Sequence, residues 1–122
     1  MTKLAVIGAG MMGSAIVTGI VEKSVLDPKE IFLSDPDTEK VQKLCERLGT
    51  NAAASNAEAA AGADVILIAV KPQFLQSAIQ NLKENISADA LVMTIVAGVP
   101  VSRYLESLGV ARVIRIMPNT PA

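Results

Sequence analysis

The chemistry-bearing residues nearest the amino end are three glycines. Gly8-Ala9-Gly10-Met11-Met12-Gly13 has the spacing G-x-G-x-x-G. In a loop that holds a dinucleotide, each glycine meets a separate demand. Gly8 permits a tight turn, Gly10 admits the pyrophosphate to the backbone, and Gly13 lets the next helix lie close on its sheet. The amino end of that helix offers free N–H groups and a positive dipole end to the phosphates. A glycine-rich turn that merely packs a helix has the same letters, and context separates the two. Here the loop follows the apolar run Lys3 to Ile7, which reads as a strand. It precedes Met12, Ala15, Ile16, Gly19 and Ile20, whose recurrence marks one face of a helix.

Three further segments can carry a ligand. Asp35 lies 22 residues beyond Gly13, close to the distance at which an acidic side chain reaches an adenosine ribose and repels a 2′-phosphate. That favours NAD(H), although Asp35 before Pro36 also reads as a helix N-cap with proline in the first turn. Ser34 and Lys40 are available to contact a 2′-phosphate. Ala69-Val70-Lys71-Pro72 ends another apolar run, and ligands of open α/β sheets gather outside the carboxyl ends of the strands. Ile95-Val96-Ala97-Gly98 ends a later run with small residues against which a flat nicotinamide ring could lie. Finally, Arg115-Ile116-Met117-Pro118-Asn119-Thr120-Pro121 stiffens a loop with prolines and presents Asn119 and Thr120 to a substrate or a carboxamide.

The elements that must position these groups alternate along the chain. Strands are expected over Lys3–Ile7, Glu30–Ser34, Thr50–Ala53, Val65–Val70, Ala90–Val96 and Arg112–Met117. Between them lie helices with apolar faces at Val41, Leu44, Cys45 and Leu48 (ended by Gly49), at Leu75, Ala78, Ile79, Leu82 and Ile86, and from Pro100 to Leu108. A brief one starts at the capping-box sequence Ser55 to Glu58. Val65 to Val70 holds no polar residue, as expected of a strand covered on both faces. The pattern predicts a doubly wound, Rossmann-type α/β domain over residues 1–122, with a mainly parallel sheet of about six strands.

Composition excludes several classes. The chain is 51% hydrophobic with a net charge of −1, so it folds rather than staying disordered. No basic run and only 2% aromatics argue against a nucleic-acid partner. With no His and a single Cys, neither a metal site nor an internal disulfide is expected, and a cytoplasmic setting fits. Cys45 reads as a buried structural thiol, and Phe74, Tyr104 and the methionines as core or rim. Leu4 to Val21 is uncharged, but Gly8, Gly10, Gly13 and Gly19 break it, so no membrane span is expected.

With these motifs in view, the chain resembles the amino-terminal half of the pyrroline-5-carboxylate reductase family. The likeness covers all 122 residues. It rests on the glycine loop, Ala-Val-Lys-Pro at 69–72, Val-Ala-Gly at 96–98 and Arg-x-Met-Pro-Asn-Thr-Pro at 115–121. The resemblance implies that Ile7, Gly8, Ala9, Gly10, Met11 and Met12 hold the pyrophosphate, and that Ser34, Asp35 and Pro36 meet the ribose. Asn56 would sit at the adenosine end, Val70, Lys71 and Pro72 along the cofactor, Val96 and Ala97 near the nicotinamide, and Met117 and Asn119 by the reacting ring. The family commonly uses NADPH, with NADH poorer, and Asp35 departs from its usual neutral or basic ribose-end residues. The implied reaction is hydride transfer to the imine carbon of a small-molecule substrate, giving L-proline. No convincing catalytic acid stands in these residues. In the family it belongs to a helical carboxyl-terminal domain that forms a homo-oligomer and most of the substrate pocket, so the 122 residues alone are expected to be nearly inactive. The alternatives are a sibling reductase of the β-hydroxyacid dehydrogenase type and a non-enzymatic dinucleotide-sensing domain.

Overall fold

A computed structural model describes residues 2–116. Its strands are β1 (Leu4–Ile7), β2 (Ile31–Ser34), β3 (Asn51–Ala52), β4 (Val65–Ile68), β5 (Leu91–Thr94) and β6 (Arg112–Arg115). The helices between them are α1 (Met11–Glu22), α2 (Thr38–Leu48), α3 (Asn56–Ala60), α4 (Leu75–Leu82) and α5 (Val101–Leu108). Single 3₁₀ turns at Pro28–Glu30 and Pro72–Phe74 lead into β2 and α4. All pairings are parallel, in the order β3-β2-β1-β4-β5-β6. The expected six-stranded Rossmann-type sheet is therefore present. The strand order reverses between β1 and β4, where such sheets open a crevice. Among the described residues, no helix is long and apolar enough to cross a membrane.

Alternation along the strands splits the core into two layers. Leu4 and Val6 of β1 face α1 and α2, packing with Ile31, Leu33, Val41, Leu44 and Leu67. Ala5 and Ile7 face the opposite layer, where Ala59 and Ala60 of α3, Leu75, Ala78, Ile79 and Leu82 of α4, and Tyr104 and Leu108 of α5 close over Ile66, Ile68 and Val92. With so few aromatics, branched aliphatics and alanines fill the space. Alanine in α3 lets that short helix sit close on β1 without a large side chain between them. Tyr104 is fully buried, and its hydroxyl pairs with that of Thr94 at 2.9 Å, so neither polar group is left unsatisfied.

Several boundaries differ from expectation for identifiable reasons. The face α1 buries is Gly13 and Val17, with Ile16, Ile20 and Val21 beside them, whereas Ala15 is exposed. Of the predicted face, Ile16 and Ile20 pack on the core as expected, while close contact at Gly13 turns Ala15 out of it. Asp35-Pro36 does not begin α2. The cap lies two positions later, at Asp37, whose Oδ1 accepts the Lys40 N–H at 3.1 Å. Ser55 caps α3 as expected, but Glu58 accepts from the Ala54 N–H, one residue before the reciprocal position of a capping box. Gly49 and Gly109 end α2 and α5 at φ 79° and 68°. β6 is an edge strand with both arginines exposed; it ends at Arg115, short of the expected Ile116, and Met117 lies outside the described residues.

Cys45 is buried, as expected. Burial pushes its thiol above the ordinary value of 9.0, and the neighbouring Thr50 side chain offsets part of the rise. An acid whose value is raised by folding favours the folded state below its unfolded value, and that stabilisation is lost as pH climbs toward the folded one. The Cys45 contribution should thus be complete below about pH 9 and decline above it, and Cys45→Ala should flatten the alkaline limb of a stability–pH curve. In the opposite layer, Tyr104→Phe should cost about 1 kcal/mol in urea unfolding by removing the buried hydrogen bond to the Thr94 hydroxyl. Tyr104→Ala should cost about 3–5 kcal/mol through the cavity it leaves.

Candidate functional site

At the carboxyl end of β1 three backbones converge. Gly8 turns the chain at φ +106°, a conformation L side chains rarely adopt, and a Cβ there would stand 2.6 Å from the Ala69 carbonyl oxygen. A Cβ on Gly13 would stand 2.5 Å from the Gly8 carbonyl oxygen. Both glycines are therefore required by space, and Gly8 by its dihedral as well. Gly10 differs, since a Cβ there would meet nothing within 4 Å. Its open face lies at the N-cap of α1, where no side chain caps the helix and no acidic residue occupies the first turn. The leading N–H groups of α1 have no intrahelical partner, and they carry the positive end of the helix dipole. That combination suits an anionic group and no other obvious one.

The next wall comes from β2 and the segment after it. Ser34 is buried, and its hydroxyl donates to Asn56 Oδ1 at 2.7 Å, which leaves the Asn56 amide nitrogen as a donor at the cleft. Asp35 accepts two backbone N–H groups, from Ala9 to Oδ2 at 2.7 Å and from Asp37 to Oδ1 at 2.8 Å. Its carboxylate is thus engaged, though not in the expected helix cap. Lys40, one turn into α2, brings an ammonium to the same rim.

The third wall follows β4. The run expected to be strand through Val70 leaves the ladder after Ile68. Ala69 still donates to the Ile7 carbonyl at 2.7 Å, and Val70 and Lys71 turn over the cleft. Pro72 opens the 3₁₀ turn that delivers Phe74, Ser77 and Ala78 to the rim.

Together these walls enclose about 350 Å³. Of the residues expected to hold a cofactor, Gly8, Gly10, Ser34, Asp35, Pro36, Asn56, Ala69, Val70 and Lys71 line this cleft. Ile7 and Ala9 are buried behind it, while Met11, Met12 and Gly13 form the first turn of α1. Val96 and Ala97 follow β5 at the same edge of the sheet and do not line this cleft. Val96 is buried and Ala97 exposed. Met117, Asn119 and Thr120 lie outside the described residues. Among the described residues, no cluster of His, Cys, Asp or Glu could hold a metal ion. Asp37, Phe74, Ser77 and Ala78 were missed. The signal for the last three was their i, i+3, i+4 spacing just after Lys71-Pro72, which puts them on one face at the start of a helix.

Comparison with known proteins agrees with this geometry. Residues 3–98 match the family described as NADP oxidoreductase, coenzyme F420-dependent. The chain is 40% identical over 121 residues to a pyrroline-5-carboxylate reductase of Methanosarcina acetivorans, covering 98% of this chain and 45% of that protein. The structure of a pyrroline-5-carboxylate reductase from Coxiella burnetii superposes with a TM-score of 0.89 at 30% identity, over 98% of this chain and 45% of that one. The crystal structure of the Plasmodium falciparum pyrroline carboxylate reductase with NADP bound gives 0.82 at 30% identity, over 98% and 43%. The chain spans a little under half the length of these relatives.

The glycines should respond differently to a single methyl group. Gly13→Ala should lower stability by about 1–3 kcal/mol, read by thermal or urea unfolding. Gly10→Ala should change stability by about 0.5 kcal/mol at most, because its Cβ enters open space. It should nevertheless weaken binding of an anionic ligand at the amino end of α1, read by calorimetry.

Proposed function

The chain belongs to the family of NADP oxidoreductases described as coenzyme F420-dependent, and we propose that it is the dinucleotide-binding half of a reductase converting pyrroline-5-carboxylate to L-proline. The observation that carries this reading is the uncapped amino end of α1, opening on a cleft whose other walls present Ser34, Asn56 and Lys71. The substrate is inferred from the named relatives and from the Arg-x-Met-Pro-Asn-Thr-Pro sequence at 115–121.

The chain's part in the reaction is to bind and orient. The first-turn amides of α1 receive the pyrophosphate, with Gly10 leaving room for it. Asn56 and Ser34 meet the adenosine end, and Val70, Lys71 and Pro72 hold the length of the cofactor. Val96 and Ala97 flank the nicotinamide, and Met117, Asn119 and Thr120 face the substrate. When bound, the reduced dinucleotide supplies a hydride to the imine carbon, and the ring nitrogen takes up a proton. Fixing donor and acceptor at contact distance converts an encounter into an intramolecular step. We place the proton donor, the rest of the substrate pocket and the contacts of a homo-oligomer in a further domain, and the whole protein in the cytoplasm. The 122 residues alone then bind cofactor but turn over little.

For the choice of cofactor, the two rim charges oppose each other. A free Asp35 carboxylate would repel a 2′-phosphate, and Lys40 attracts one. Both Asp35 oxygens already accept backbone N–H groups, whereas Lys40 is an exposed cation on the cleft. That balance supports NADPH, with NADH as the poorer donor.

The test is oxidation of NADPH and NADH by the complete protein, with and without pyrroline-5-carboxylate. Oxidation should depend on the substrate and run faster with NADPH. Lys40→Ala should cut the NADPH advantage about tenfold, the loss of one charge-assisted contact. Tight cofactor binding with no substrate-dependent oxidation would point to the sensing domain or to a sibling reductase.

A further inference from the structure

Asp35 joins two segments that are otherwise separate. Its Oδ2 fixes the Ala9 N–H of the glycine loop and its Oδ1 the Asp37 N–H of the segment entering α2. The Ala9 carbonyl is taken as well, by the Ser14 hydroxyl at 2.9 Å. The Gly8 N–H is taken by the Ser34 carbonyl at 2.8 Å. Successive amides of the loop, Gly8 and Ala9, are therefore held by successive residues of the β2 end, Ser34 and Asp35. Beyond Ala9 the constraint stops, because Gly10 is open and α1 has no side-chain cap. A loop with glycine on either side of Ala9 has wide backbone freedom of its own. Something must hold it, and a carboxylate accepting a backbone N–H is among the stronger single bonds available for that.

We propose that Asp35 is a positioning residue: it fastens Ala9 so that the amino end of α1 stays aimed at the cleft, and it does not itself bond the ribose. The proposal rests on the dinucleotide reading above and assigns Asp35 a different part in it. A ribose ligand would discriminate between cofactors, and its removal would weaken NADH while relieving the repulsion of a 2′-phosphate. A fastening acts on the pyrophosphate loop, which both cofactors share. Its removal weakens both by the same factor.

The decisive variant is Asp35→Asn, of nearly the same shape but with one oxygen replaced by a donor that cannot accept an N–H. Asp35→Ser, too short to span both amides, is the second variant in case the first folds poorly. Calorimetric binding of NADPH and of NADH is measured on the chain, with amide hydrogen exchange recorded on the cofactor-free protein. Affinity for both cofactors should fall about tenfold, with their ratio moving by less than about twofold. The Ala9 and Asp37 amides should exchange about tenfold faster or more, while those of β4 and β5 keep their protection.

Three results would overturn the proposal. One is weaker NADH with tighter NADPH, which makes Asp35 a ribose ligand. Another is unchanged affinity for both. The third is loss of protection across β4 and β5, which makes the effect general unfolding. An unmutated chain that binds neither cofactor would overturn the dinucleotide reading itself, and the Ala9 exchange rate would still show whether the fastening exists.

Discussion

Everything at the cleft depends on how closely three backbones meet at the end of β1. The turn at Gly8 lies against the Ala69 peptide, and α1 lies against Gly8 through Gly13, at separations that leave no space for a Cβ. This packing has two effects. It brings the start of α1 directly over the point where the sheet reverses its strand order, so the amino end of the helix faces the crevice rather than open solvent. It also fixes the roll of α1 about its axis, putting Val17 against the sheet and leaving Met11 91% exposed. Packing and ligand geometry at Gly8 and Gly13 are thus set by the same contacts, whereas Gly10, open to the cleft, serves the ligand alone.

Much of the architecture was legible because strand and helix patterns alternate without ambiguity. Val65 to Ile68 has no polar atom to lose on burial, and the helices after it carry their apolar residues at clear helical spacing. The terminators are equally plain, since Gly49 and Gly109 occupy the left-handed positions that glycine alone adopts without strain. Three walls of the cleft could be named in advance for a related reason. In an all-parallel sheet, the carboxyl ends of β1, β2 and β4 must share one edge.

What sequence reasoning missed depends on contacts between distant segments. The roll of α1 is decided by Gly8 and Ala69, and hydrophobic periodicity alone cannot weigh a backbone contact above a Met or Ala side chain. Asp35 before Pro36 has every local mark of a cap. Yet one of the two amides it serves is 26 residues away, and the capping role passes to Asp37, whose own position in the sequence looks ordinary. Phe74 reads as core or rim by residue type, and the 3₁₀ turn at Pro72 sets it at the rim, 54% exposed, before α4 begins. For α1 and Asp35 the local preference was real, and a partner outside the local window took precedence.

The burial of Tyr104 has an optical consequence. It is the sole tyrosine, and the chain has no tryptophan. Near-ultraviolet absorption and emission from the described residues therefore come almost wholly from one ring, sealed between β5 and α5 in the layer below the sheet. A reduced nicotinamide, by contrast, absorbs and fluoresces at longer wavelengths, against almost no protein background. The molecule thus carries a single built-in chromophore for its core, spectrally separate from a reduced nicotinamide ring in the cleft.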